Sequence, residues 1–354
     1  PCDDQIKQKL QMLNASTLHR LLGYKHQSVE FRHNAHNPLA LDILVVDESS
    51  MIDSTMMSQL LDAIPAHARI ILLGDKDQLP PVGPGSPFAD ICGQYGFSES
   101  FAKELQALSG EDLSQVYASN QQLSDNLVFL QHSFRFDAHS GIGNLARAIN
   151  DGDTEQAKQL LADESFSDIA WVDYIASEYR GWNCQKVDPI VDKIKQGFAH
   201  YLHALNTEKS FEAVNQAFLH FCVLTCIRQG ASGLEKINEI TQKALGFPSE
   251  QVWYHGRPIM ISKNDYQTKL YNGDVGLCLD LDGTGELRVY FPTVDGYKTI
   301  NPSRIPAHET AFTMTVHKSQ GSEFKEVLFL LPEKELPIIT KQLVYTAITR
   351  AKKR

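Results

Sequence analysis

The chain has 354 residues, 42% of them hydrophobic and 21% charged, an ordinary globular composition that can bury at least two cores and excludes one small compact unit. Its formal net charge of −10 excludes a protein that coats nucleic acid by bulk charge, though a local basic groove stays open. No run of about eighteen apolar residues occurs and no signal-peptide pattern opens the chain, so neither membrane insertion nor secretion is supported, and the scattered Cys2, Cys92, Cys184, Cys222, Cys226 and Cys278 fit a reducing cytoplasm.

Pro1 to Leu13 is polar and weakly helical. Ala15 to Gly23 reads as a helical turn capped by Ser16 or Thr17 and stopped by Gly23. A polar loop, Lys25 to Pro38, then delivers the chain to Leu41-Asp42-Ile43-Leu44-Val45-Val46, an apolar run that stops on Asp47-Glu48. This predicts a strand buried on both faces. Met56, Met57, Leu60, Leu61 and Ile64 have helical spacing, and Pro65 ends the helix. Ala68 to Leu73 is a second buried strand, ending on Gly74-Asp75.

Two apolar strands joined by one short helix form a right-handed βαβ unit with parallel strands, so their carboxyl ends share one rim. Ligands of open α/β sheets bind at such a rim, which gathers Asp47, Glu48, Asp75 and Gln78 into a candidate site stiffened by Pro80 and Pro81. There the first acid suits the water shell of a Mg²⁺ ion, and the second suits polarising a water that attacks a phosphate.

Gln94 to Asp125 predicts helices and loops without legible chemistry. Leu127 to Phe136 is strand-like and sets Arg135 between Phe134 and Phe136. Gly141 to Asn150 starts a helix whose Gly-x-Gly lacks the third glycine and the strand–turn–helix setting of a dinucleotide site. The seven acids between Asp151 and Asp173 fit solvated helix faces. Val187 to Leu205 predicts one helix with Ile190, Ile194, Phe198 and Leu202 on a single face. Phe218 to Ile227 is a buried strand holding Cys222 and Cys226 in a second core, followed by the loop Arg228 to Leu234 and the helix Glu235 to Leu245. From His255 to Phe291 the pattern changes: Asn272-Gly273 and Asp282-Gly283 separate strand-like runs, as hairpins of an inserted all-β module do. Ala311 to Gly321 returns to the parallel style, Glu326 to Pro332 is another buried strand, and Gln342 to Thr349 opens a helix in a net basic end segment.

Five stretches, in order, resemble motifs II to VI of the superfamily 1 helicases: Val46 to Met51, Gly74 to Val82, Phe134-Arg135-Phe136, Thr315 to Phe324 and Tyr345 to Ala351. Within that superfamily the chain resembles the RecD-type helicases, the family of the exodeoxyribonuclease V alpha subunit, over nearly its whole length. The resemblance implies an α/β protein of two RecA-like parallel-sheet domains, the first incomplete, with an inserted SH3-like β-barrel. It divides the chain into a first domain at 1–150, a helical bridge at 151–205, a second domain at 206–254 and 300–354, and the barrel at 255–299.

By motif position, the resemblance implies that Asp47 and Asp75 serve ATP and Mg²⁺, with Asp47 the metal's carboxylate, that Glu48 serves the hydrolytic water, and that Gln78 senses the γ-phosphate. Arg135 and Arg350 would reach the γ-phosphate, Gly321 and Glu323 would touch nucleotide, and Thr315, His317 and Lys318, with Ser16, Thr17 and His19, would face single-stranded DNA. It further implies an ATP-hydrolysing helicase that moves 5′ to 3′ beside RecB- and RecC-like subunits of a helicase–nuclease, in break repair and recombination. The family's Gly-Lys-Ser or Gly-Lys-Thr phosphate loop is not found ahead of Asp47. The sequence therefore reads as a fragment that begins after that loop and is inactive alone. The competing expectation is a regulatory subunit with a degenerate nucleotide site that holds DNA or a partner; a third is an ATPase that does not unwind.

Overall fold

The structure, a computed structural model, describes residues 15–24, 30–93, 96–112, 124–130, 133–137, 139–173 and 189–354. The weakly helical stretch expected over Pro1 to Leu13, and Cys2 and Cys184, lie outside the described residues. The chain forms two compact units, Pro1–Phe129 and Leu130–Arg354.

In the first unit the order is α1 (Leu18–Leu21), β1 (Ile43–Val46), α2 (Ser54–Ala63), β2 (Arg69–Leu72), α3 (Pro87–Cys92) and α4 (Glu99–Ser109). β1 and β2 pair in parallel, from Ile43 opposite Arg69 to Val46 opposite Leu72, as the βαβ reading requires. Asp53 caps α2 by accepting from the Met56 amide at 2.8 Å, which satisfies one of the helix's orphan donors. Met57, Leu60 and Ala63 of α2 then pack with Leu44 and Val46 of β1 and with Leu22, Phe31 and Leu39. Strand residues alternate between faces, and α2 covers only one of them. Ile43 and Val45 are 60% and 55% exposed, and Ile71 and Leu73 are exposed beside them, so the strands are buried on one face and not on both as expected.

The described residues of Leu127 to Phe136 form no strand, and Val128, Leu130 and Phe134 are exposed. An apolar run becomes a strand only where a partner supplies the ladder, and among the described residues no strand pairs with it.

The second unit opens with α5 (Gly141–Asp151) and α6 (Thr154–Ala162), followed by α7 (Pro189–Gly197), α8 (Ala199–Thr207), α9 (Phe211–Phe218), β3 (Phe221–Thr225) and α10 (Leu234–Ala244). The single helix expected over Val187 to Leu205 is two helices, broken after Gly197. A Cβ at Gly197 would lie 2.5 Å from the Phe221 ring, so the break brings β3 against a backbone with no side chain in the way. Phe198, just past the break, meets Phe221 edge-on at 5.0 Å and Phe312 at 5.6 Å, and Ile190, Ile194 and Phe218 complete this aromatic core.

The inserted strands are β4 (Arg257–Ile261), β5 (Val275–Leu279), β6 (Arg288–Thr293), β7 (Gly296–Ile300) and β8 (His308–Thr310); β9 (Thr313–Thr315), β10 (Glu326–Leu330) and α11 (Lys341–Ile348) return to the parallel layer. That layer is a three-stranded parallel sheet in the order β10-β3-β9, and every residue of β3 is buried, Cys222 included. The insertion is a five-stranded antiparallel sheet in the order β7-β6-β5-β4-β8, with no ladder between its edge strands among the described residues. Its hairpins turn where Asn272-Gly273 and Asp282-Gly283 predicted, with Gly273 and Gly283 at φ 98° and 67°.

β5 faces two cores at once. Leu277 and Leu279 join Phe198 and Phe312, whereas Cys278, on the opposite face, packs with Ile259, Val289 and Phe291. Burial pushes the Cys226 and Cys278 thiols up to about 12, which leaves both unreactive. No helix among the described residues is long and apolar enough to cross a membrane.

Candidate functional site

The structure brings Asp47, Glu48, Asp75 and Gln78 to the carboxyl end of the β1–β2 pair. Beyond the strands the ladder continues, with the Leu73 amide donating to Val46 and the Ser49 amide to Leu73, both at 2.8 Å. Gly74 lies between them: a Cβ there would stand 3.1 Å from both the Ser50 amide nitrogen and the Phe88 ring. That close approach sets Asp75 beside the Glu48–Ser49 turn.

Asp47 is exposed, and its Oδ1 accepts from the Glu48 amide at 2.9 Å. Glu48 holds a left-handed backbone, φ 52° and ψ 40°, shared among described non-glycine residues only by Lys269. Such backbones cost a non-glycine residue roughly 1–3 kcal/mol and gather at functional sites. Gln78 is buried, and its Nε2 donates to Asp75 Oδ2 at 3.2 Å. Gln78 Oε1 and Ser50 Oγ are buried without a hydrogen-bond partner, a rarity inside folded proteins. Among the described residues no group of three or more His, Cys, Asp or Glu side chains gathers to hold a metal ion.

A second cluster lies in the Leu130–Arg354 unit. Arg135 donates through Nε to Glu323 Oε1 at 2.8 Å and through Nη2 to the same oxygen, while Nη1 reaches the Thr349 carbonyl at 2.9 Å. Lys352 pairs with the other oxygen of Glu323. The Lys352 hydrogen bond, and after it the Arg135 contacts, hold the Glu323 carboxyl below its usual range against the opposing effect of burial. Arg350 is only 1% exposed and donates to the Thr346 carbonyl at 3.2 Å and to the Ser322 carbonyl at 3.3 Å. Gly321, exposed at φ 75°, turns the chain just ahead of Ser322.

Of the residues expected to face DNA, Thr315 is buried at the end of β9, and His317 is half-buried, its imidazole pKa lowered by that burial. Lys318 Nζ donates to Asn272 Oδ1 at 2.6 Å in the inserted hairpin. Ser16, Thr17 and His19 are exposed in the other unit. Thr17 stands at the cap position of α1, but its side chain makes no capping bond, so the expected local explanation for this hydroxyl does not hold. His19 packs edge-on against Phe31 at 5.6 Å.

Lys352 and Asn272 were not among the expected site residues. Lys352 belongs to a net basic end segment just past the last motif, and Asn272 reads as a turn former, so only the fold reveals what each touches.

Two family models match the chain: an AAA domain over residues 3–84 and a UvrD-like helicase C-terminal domain over residues 310–354. The chain is 39% identical to RecBCD enzyme subunit RecD of Haemophilus influenzae, over 96% of this chain and 54% of that protein. It is 32% identical to the ATP-dependent RecD2 DNA helicase of Deinococcus radiodurans, over 96% of this chain and 39% of that one. A Pif1 helicase from Bacteroides, solved with ADP-AlF3 and ssDNA, superposes with a TM-score of 0.45 at 16% identity, covering 95% of this chain and 76% of that chain. The chain spans about half the length of the RecD subunits it matches. With a UvrD-like helicase C-terminal domain matched over residues 310–354 and RecD proteins aligned along nearly all of its residues, the chain belongs to the RecD-type family of superfamily 1 helicases.

Proposed function

We propose that the chain forms part of an ATP-dependent helicase that moves 5′ to 3′ on single-stranded DNA, as a subunit of a helicase–nuclease with RecB- and RecC-like partners. Relatives named as RecD of the RecBCD enzyme and as an ATP-dependent DNA helicase support this reading. The observation that carries it is the rim: an exposed Asp47, a Glu48 held in left-handed backbone, and a buried Gln78 with one unpartnered oxygen, all at the carboxyl end of a parallel strand pair.

In this reading Asp47 holds Mg²⁺. One exposed carboxylate oriented by the neighbouring amide fits an ion that takes the rest of its shell from water and phosphate oxygens. The ion, when bound with ATP, supplies charge neutralisation at the phosphates. Glu48 accepts the proton of the attacking water, and its fixed backbone removes the freedom that would otherwise blur the carboxylate's position. Gln78 senses the γ-phosphate, with Oε1 able to accept from a water and Nε2 tied to Asp75. Gly321 and Glu323 contact nucleotide, Arg135 and Arg350 stabilise charge on the transferring oxygens, and Ser16, Thr17, His19, Thr315, His317 and Lys318 serve the DNA strand.

The test is Glu48→Gln in the full-length protein. Nucleotide binding should persist while DNA-stimulated hydrolysis falls roughly 10²- to 10⁴-fold, the usual worth of a general base. Turnover within a few-fold of wild type would remove Glu48 from the chemistry, and a wild-type protein that binds DNA without hydrolysing ATP would favour the regulatory reading.

A further inference from the structure

The two loops that carry the rim residues meet a second time, farther along each. Glu48 is followed by the short helical turn Ser49–Met51 and then by Asp53, at the start of α2. Gln78 is followed by Leu79-Pro80-Pro81-Val82 and then by Gly83-Pro84-Gly85. At this second meeting the Ser54 amide donates to the Pro84 carbonyl at 3.0 Å. Gly83 lies so close to the Asp53 side chain that a Cβ on it would stand 2.0 Å from Oδ2, 2.7 Å from Cγ and 2.9 Å from Cβ. A Cβ on Gly85 would stand 2.0 Å from Ser54 Oγ.

Neither side of this contact gives way readily. The Asp53 carboxylate is not a loose side-chain end, because its Oδ1 accepts from the Met56 amide at 2.8 Å and caps α2. Across from it, Pro80, Pro81 and Pro84 each fix φ, so a shift at Gly83 passes back along the loop instead of being absorbed within it. Leu79, next to Gln78, is buried, whereas Val82 is 94% exposed: the loop leaves the core, turns in solvent and comes back onto Asp53 and Ser54. Asp53 and Gly83 are half-buried and Ser54, Pro84 and Gly85 are exposed, so the contact sets position more than it adds to a core.

We propose that Asp53 and Gly83 form a latch that fixes Gln78 relative to Glu48, with Asp53 a positioning residue for hydrolysis that acts through Gln78. This rests on the reading of the rim given above and adds residues to it. A base and a γ-phosphate sensor on separate loops work in one mutual arrangement, and a misplacement of about 1 Å can cost roughly 10²-fold in rate. The backbone bonds through Leu73 and Ser49 join the two loops where they leave the strands. The latch joins them again beyond the side chains, so Glu48 and Gln78 each project from a segment held on both sides.

The experiment is Gly83→Ala in the full-length protein, assayed with single-stranded DNA and saturating ATP. Gly83 is not among the glycines with a left-handed backbone, as Gly85 is at φ 81°, so alanine there adds the contact with Asp53 and no backbone strain. Its kcat should fall roughly 10²-fold while the Kd of a fluorescent ATP analogue stays within a few-fold and the melting temperature within a few degrees. Asp53→Ser keeps a capping oxygen and removes the carboxylate, so adding it to Gly83→Ala should recover roughly tenfold of the lost rate. The latch is overturned if Gly83→Ala turns over within a few-fold of wild type, or if Asp53→Ser brings no recovery. It is also overturned if nucleotide binding is lost together with turnover, which marks a contact that serves folding alone. Gln78→Ala separates this from the rim itself: if that variant loses turnover while Gly83→Ala keeps it, only the latch falls. Normal turnover in Gln78→Ala removes Gln78 from the chemistry and the latch with it.

Discussion

Arg135 and Arg350 are a useful pair because the same residue type meets two environments within one unit. Arg350 is enclosed, its guanidinium donating to the Ser322 and Thr346 carbonyls, and so ties the turn after Gly321 to α11. Arg350→Ala should therefore destabilise the protein by about 2–5 kcal/mol, the range for truncating a large buried side chain, besides any effect on turnover. Arg350→Lys should recover little, since an ammonium cannot reproduce the planar fork. Differential scanning fluorimetry of both variants checks this. Arg135 is partly exposed and meets one carboxylate and one carbonyl, so Arg135→Ala should leave the melting temperature within a few degrees. If Arg135 serves the γ-phosphate as proposed, DNA-stimulated hydrolysis should nonetheless fall roughly a thousandfold with single-strand binding retained. The Glu323 carboxyl gives the pH sign. Its folded pKa is depressed, so its contribution is present above the ordinary glutamate value and is lost as pH falls through the lower folded value. Glu323→Gln should lower stability in the neutral region, flatten the acid limb of the stability–pH curve and leave the acid end almost unchanged. The motif order made Arg135, Glu323 and Arg350 visible in the sequence. That the first two are bonded across 188 positions, and that the third is enclosed, depended on tertiary packing that no local pattern carries.

Among the elements, legibility followed how local the cause was. The β1–α2–β2 unit, the hairpin turns and the buried β3 each rest on short-range signals: spacing, a proline, an Asn-Gly pair. The Val187 to Leu205 reading failed where the cause was distant, because the break after Gly197 answers to Phe221, which is not a neighbour in sequence. Gly197→Ala should cost about 1–3 kcal/mol, since the added methyl must displace that ring or the helix that carries it. Gly152→Ala is the comparison of opposite kind: its Cβ would meet nothing within 4 Å, and its whole penalty comes from φ 73°. Chemical denaturation of the two variants separates contact from backbone strain. The one-sided burial of β1 could not be read either, since an unbroken apolar run specifies the strand but not how many of its faces are covered.

For the molecule as a whole, the Leu130–Arg354 unit holds both the aromatic core and the core of the insertion, and so contains the contacts a cooperative fold needs. Expressed alone, residues 130–354 should unfold in a single sharp transition, followed by circular dichroism; a broad or two-step melt would show that the insertion behaves as a separate body. β5 bears on how this family can vary. A module with its own private core can be excised, exchanged or lost, because its removal heals at two loop ends. A strand that gives Leu277 and Leu279 to the parent layer and Cys278 to the insertion offers no such cut. Descendants of this architecture are therefore free to rewrite the outer loops, including residues 262–274, while the hinge strand between them is inherited whole, and a chimera that swaps the insertion must carry matching leucines with it.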